Sequence, residues 1–207
     1  MEVVTARKGV GTFFIDIEGK AAHAGNHYAD GHDANLEASY KIQKLVELTD
    51  LNKGTTVNVG KIEGGIGANT ISPYAHLVFE LRYTDTNERD RVLKSIDKIV
   101  NIQYVAGTTS KLSGGIQRDV MQETDTSLEL IKDIERITSQ KILHEARGGV
   151  SDANVVSSCG VITLEGFGPY GDGDHTVHER ANKNSFTSRI DLSKKLFTYF
   201  IQNSNFK

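Results

Sequence analysis

Over residues 10–113 the hydrophobic period alternates between two residues and about 3.6, and the order of the switches leaves few folds open. "GTFFIDIEG" alternates: Phe13, Ile15 and Ile17 point one way, Thr12, Asp16 and Glu18 the other. That is a half-buried strand. From about Gly31 to Leu48, Ala34, Ala38, Ile42, Leu45 and Val46 fall at helical spacing. "TTVNVGKIEGG" reads as a second strand that ends in glycines. In "AHLVFELRYTD", Leu77, Phe79, Leu81 and Tyr83 share one face, and Val78, Glu80 and Arg82 the other. A helix follows: Thr86 can cap it, Glu88 sits in its first turn, and Val92, Ile96, Ile99 and Val100 form its stripe. A weaker strand runs through "IQYVAGTTSKL". The order β-α-β-β-α-β predicts a ferredoxin-like unit, one antiparallel sheet with two helices on one face.

After "SGGIQRD" the character changes. Leu128, Ile131, Ile134 and Ile137 predict a helix from about Thr126, and Ser151 to Val156 opens another behind the "RGGVSD" turn. "GVITLEGFG" reads as a short strand, followed by the glycine-rich "FGPYGDGDHTVHE". A last helix from about Lys183 to Gln202 is expected to bury Phe186, Ile190, Phe197 and Phe200. One strand cannot form a sheet. This stretch therefore reads as part of an α/β domain whose other strands lie in another chain or in further sequence. Two domains result: 9–116, and 117–207 together with 1–8.

Composition removes several classes of function. Of 207 residues, 38% are apolar and 25% charged, ordinary for a globular chain. The net charge is −3 with no basic cluster, which argues against nucleic acid as a partner. No apolar run approaches the ~20 residues of a membrane span, and "MEVVTARKGVGTFF" has no signal-peptide core. A cytoplasmic location is the expectation for the chain as it stands. Cys159 is the only cysteine, so neither an internal disulfide nor a cysteine-based zinc knuckle is available.

Four stretches concentrate chemistry. In "GDGDHTVHE", His175 and His178 are flanked by Asp172, Asp174 and Glu179. The spacing is not that of a zincin helix, and both a metal ligand aimed by a loop and a solvated polar loop remain open. In "GKAAHAGNHYADGHDAN", His23 and His27 are four apart, but the surrounding glycines favour a loop over a helix. In "GGIGANTISPYAHLVFELR", Asn69 lies in a turn, and Arg82 lies on the polar strand face beside Glu80. Arg82 suits either a two-point carboxylate clamp or an ion pair with that glutamate. In "RGGVSDAN", Ser151 and Asp152 can cap a helix whose entry also suits anions. No Gly-x-Ser-x-Gly elbow is present.

Together, and in this order, the four stretches resemble the zinc-dependent aminoacylase and carboxypeptidase family of metallopeptidases, with spacing nearest to bacterial glutamate carboxypeptidase. The resemblance implies that the first domain is a lid through which two copies form a homodimer. It implies that His175 is a zinc ligand, and that His23 reaches the partner's active site and stabilises an oxyanion. Asn69 and Arg82 would hold the substrate's free carboxylate, and Gly148, Gly149 and Asp152 would line its pocket. The substrate would be a peptide or N-acyl amino acid. His178 matches no role in the family. The family's remaining ligands, for two zinc ions, and its general base lie upstream of the lid, so the chain is expected to be a C-terminal fragment, inactive alone and holding zinc weakly or not at all. A rival reading is a non-catalytic dimerisation or binding module on the same lid fold.

Overall fold

The computed structural model describes residues 2–203. In chain order the elements are β1 (Glu2–Arg7), β2 (Gly9–Glu18), α1 (Ala34–Val46), β3 (Thr56–Gly64), β4 (Tyr74–Tyr83), α2 (Thr86–Asn101), β5 (Thr109–Arg118), α3 (Asp125–Thr138), β6 (Leu143–Arg147), α4 (Asp152–Ser158), β7 (Gly171–Asp172), β8 (Arg180–Ala181) and α5 (Lys183–Asn203). Two compact units divide the chain: Lys8–Val120, and Met1–Arg7 with Met121–Lys207.

The unit Lys8–Val120 has the expected ferredoxin-like order. Its antiparallel sheet runs β3-β4-β2-β5. The alternation read from sequence is the burial pattern observed: Phe13, Ile15 and Ile17 on β2, and Leu77, Phe79, Leu81 and Tyr83 on β4, are buried. Phe13 and Phe79 are register partners, and their rings stack at 5.3 Å. Val92, Ile96, Ile99 and Val100 of α2 close the same core. Asp33 caps α1 by accepting from the backbone N–H of Asn35 and Leu36. At α2 the cap is Asp85, which accepts from Glu88 N at 3.0 Å, and Thr86 is the first helical residue rather than the cap.

The strand expected in "IQYVAGTTSKL" starts late, at Thr109, because the backbone before it has other partners. Lys41 Nζ donates to the carbonyls of Ile99, Val100 and Ile102 at 2.9, 3.1 and 2.7 Å. Glu37 Oε2 accepts from the N–H of Tyr104 and Val105 at 2.9 and 2.6 Å. Backbone groups satisfied by side chains have no need of a ladder. The connection then turns at Gly107, whose φ is +82° and where a Cβ would lie 2.5 Å from the His32 ring.

In the other unit, β1 pairs with β6 in parallel. Neither strand was expected from sequence. "GVITLEGFG" forms no strand; only Glu165 bridges to Val4, through hydrogen bonds of 2.8 and 3.1 Å. Val3, Ile131, Ile134, Ile142, Leu192 and Leu196 make a small core. Thr124 and Ser127 form a capping box at α3. The expected burial of Phe186, Ile190, Phe197 and Phe200 is not observed: they are 47%, 52%, 67% and 37% exposed. α5 carries two adjacent apolar stripes, and the one packed in the core is Leu192 and Leu196. Among the described residues, no helix is long and apolar enough to cross a membrane.

Candidate active site

In the unit Lys8–Val120 the chain leaves β2 into a loop that is zipped to the segment before β4. Lys20 and His32 exchange two backbone hydrogen bonds. Ile71 N donates to Ala22 O, and Ala24 N donates to Asn69 O, both at 2.9 Å. His23 bridges Thr70. The fold therefore places His23 and Asn69 side by side, 46 positions apart in sequence. His23 is exposed, and its Nδ1 accepts from Gly25 N at 3.1 Å and Asn26 N at 3.3 Å. Asn69 Oδ1 accepts from Thr70 Oγ1 at 3.3 Å. The exposed His27 side chain lies 3.5 Å from the Asp30 carboxylate.

Arg82 lies at the far end of β4. It pairs across the sheet with Val10, near the start of β2, whereas Tyr74, next to the Asn69 segment, pairs with Glu18 at its end. Eight strand positions at ~3.3 Å each separate the two ends by about 26 Å. Asn69 and Arg82 therefore lie toward opposite ends of β4. Arg82 holds Glu80 in two-point fashion, Nε to Oε1 at 2.7 Å and Nη2 to Oε2 at 3.2 Å.

In the other unit the loop from Gly148 to Asp152 is fastened by two residues that sequence reasoning passed over. Arg7 donates from Nη1 to Gly149 O at 2.9 Å and from Nε to a carboxylate oxygen of Glu165. The same Glu165 oxygen accepts from Ser151 Oγ at 2.9 Å. Ser151 in turn caps α4, with Asn154 Oδ1 accepting from Ser151 N at 3.0 Å. No local spacing links Arg7 to Glu165, 158 residues on. A side chain at Gly148 would meet nothing within 4 Å, and one at Gly149 only the Arg7 guanidinium at 3.8 Å. Beside this loop is a cavity of about 900 Å³ lined by Arg7, Arg147, Glu165, Asp174 and Arg189 among others.

His175 sits in the loop between β7 and β8, a hairpin closed by a two-point Arg180–Asp172 pair. Its φ is +64°, one of only two positive values among described non-glycine residues. Such backbone strain concentrates at functional sites. Its N–H donates to Glu179 Oε2 at 3.3 Å. The His178 amide donates to Thr176 Oγ1, and its side chain is exposed. No three His, Cys, Asp or Glu side chains converge among the described residues. Zinc is held by three or more protein ligands, so the residues of this chain do not by themselves fit the expected metal centre.

The peptidase dimerisation domain family matches residues 5–108, about half of the chain. The chain belongs to the M20 peptidase dimerisation family. Similarity to members of this family extends past the matched domain. Succinyl-diaminopimelate desuccinylase of Sulfurimonas denitrificans is 24% identical over 94% of this chain and 54% of its own length. A p-aminobenzoyl-glutamate hydrolase homolog of Haemophilus influenzae is 28% identical over 67% of this chain and 33% of its own. The crystal structure of aminopeptidase PepT from Bacillus cereus superposes with a TM-score of 0.76 at 22% identity, over 94% of this chain and 52% of that one. The chain thus spans about half the length, or less, of the relatives it matches. Peptidases of this family are generally metal-dependent.

Proposed function

We propose that the chain is the C-terminal part of a zinc-dependent M20 hydrolase that cleaves a peptide or N-acyl amide bond next to a free carboxylate, in the manner of glutamate carboxypeptidases. The observation that carries this reading is the pairing of His23 with Asn69 on one fastened loop of a peptidase dimerisation unit. His23 supplies an N–H to the oxygen that becomes negative as the carbonyl is attacked; such donors lower the barrier by favouring the developing charge. Asn69 and Arg82 hold the carboxylate from the lid, and their placement toward opposite ends of β4 favours donation by different copies of the unit. The Gly148–Asp152 loop, fastened by Arg7 and Glu165, lines the pocket. His175 contributes one metal ligand, and the others come from chain beyond this one.

The unit that contains His175 supports the hydrolase over a bare dimerisation module. It exposes Leu143, Val155, Val156, Val161, Ile162, Phe186, Ile190 and Phe197. Ile162, Phe197 and Phe200 also line an apolar groove of about 380 Å³. Such a surface signals a missing partner, and further strands and helices of a catalytic domain suit it. The homodimer forms through the lid, whose edge strand β3 is largely exposed and open to pairing with a second copy. Activity of the full-length protein against N-acyl and dipeptide substrates, with and without the free carboxylate, tests the reading. Hydrolysis that ignores the carboxylate contradicts it.

A further inference from the structure

Two backbone amides converge on one nitrogen of the His23 ring. Nδ1 accepts from Gly25 N at 3.1 Å and from Asn26 N at 3.3 Å. The turn that brings them there is closed by His27 N donating to His23 O at 2.8 Å, and it is fastened by the bond from Ala24 N to Asn69 O at 2.9 Å. A neutral imidazole has one N–H and one bare acceptor nitrogen, and the bond made by one nitrogen decides the role of the other. A proton on Nδ1 would point at two N–H donors.

We propose that the amides of Gly25 and Asn26 are positioning groups that lock the neutral His23 ring in its Nε2–H tautomer, so that the lid presents a hydrogen-bond donor and not an acceptor. Nε2 makes no hydrogen bond among the described residues, and the ring is exposed. The choice decides whether the residue can work: a bare ring nitrogen facing a developing oxyanion repels it, whereas an N–H already in place stabilises it with no reorganisation. The catalytic meaning of the lock rests on the reading of His23 given above; the lock itself is a property of this loop. Glycine at 25 is not required for it. A Cβ there would lie 3.5 Å from His23 Cε1, an ordinary contact.

The test uses the 207-residue chain with ¹⁵N-labelled histidine, at about pH 8, where imidazoles are ordinarily neutral. Two-bond proton–nitrogen correlations report the tautomer, and His23→Ala assigns the signal. The folded chain is expected to favour Nε2–H about tenfold more strongly than the same chain unfolded in urea, the worth of roughly one net hydrogen bond. Gly25→Ala keeps the N–H and keeps the preference. Gly25→Pro with Asn26→Pro removes both donors and returns the ratio to the unfolded value. A wild-type ratio equal to the unfolded one, or a majority of Nδ1–H, overturns the proposal even if the proline variant does not fold. The two readings fail separately. A locked ring with no turnover loss in full-length His23→Ala sinks the oxyanion role alone, and an unlocked ring with such a loss sinks the lock alone.

Discussion

Lys41 Nζ lies 2.9 Å from Glu37 Oε1 with both side chains out of contact with solvent. This is an i,i+4 pair on α1 whose outer atoms reach the end of α2 and the chain beyond it: three carbonyls on the lysine, two amides on the glutamate. No other polar atom among the described residues satisfies Glu37 Oε1. Removing one member strands a buried charge. Lys41→Met is expected to cost the Lys8–Val120 unit about 3–5 kcal/mol in urea denaturation followed by circular dichroism. Glu37→Gln with Lys41→Met should cost clearly less than the two single changes added. Additive losses would mean that the pair is not coupled.

Glu88 sets an acid limit on the same unit. Hydrogen bonds from Arg91 hold its carboxyl down to about 2, assisted by Lys53 and Thr55. A depressed folded pKa contributes stability that is fully present above the unfolded value near 4.5 and is lost as pH falls toward 2. With Lys53 half-exposed, screening leaves about 1–2 kcal/mol. Unfolding free energies of wild type and Glu88→Gln should differ by that much at pH 6 and converge by about pH 2. A gap that stays constant with pH would contradict the assignment.

The sheet unit was legible because its elements are periodic and its burial follows the period. Phe13, Ile15, Leu77 and Phe79 needed no more than alternation. What escaped was decided by partners distant in sequence. The late start of β5 follows from the Glu37–Lys41 pair, some 60 residues upstream of the carbonyls it binds. β6, "LHEAR", has no apolar face, so only its pairing with β1 makes it a strand. The buried stripe of α5 was not legible, because Phe186, Ile190 and Phe197 are as apolar as Leu192 and Leu196, and no local signal says which stripe faces α3. At the candidate site, the residue types of His23, Asn69, Arg82 and His175 can be read from sequence, but their mutual placement cannot. That Arg82 lies about 26 Å along β4 from Tyr74, beside the Asn69 segment, follows only from strand register.

The two units are expected to differ in protection. The Lys8–Val120 unit has a four-stranded sheet and a core of its own, and about 110 residues suffice for independent folding. The other unit rests on a small core of Val3, Ile131, Ile134, Ile142, Leu192 and Leu196, with much apolar surface exposed. Hydrogen exchange on the chain should show slow amides in β2 and β4 and faster exchange in β6 and α5. Equal protection in both would argue that the exposed apolar surface awaits nothing.

Zinc should bind this chain weakly. His175 has no converging pair of further ligands among the described residues. Calorimetric titration is expected to show no stoichiometric tight site, and His175→Ala should leave the trace unchanged. A tight site lost in that variant would mean that the 173–179 loop holds metal by itself, and the role given to His175 would need revision.

Under the proposed function, His23 and His175 serve one active site from two copies of the chain. In the full-length protein, His23→Ala is expected to lower turnover by roughly 100- to 1000-fold, the loss that follows removal of one oxyanion donor, with dimerisation and zinc content intact. His175→Ala should be inactive through loss of metal. Mixing the two variants under conditions where protomers exchange places one intact His23 opposite one intact His175. Activity is expected to return in the mixture, to at most about a quarter of the wild-type rate, since half of the dimers are mixed and each has one complete site. A mixture in which mass spectrometry shows heterodimers and turnover stays at the level of the separate variants would contradict it.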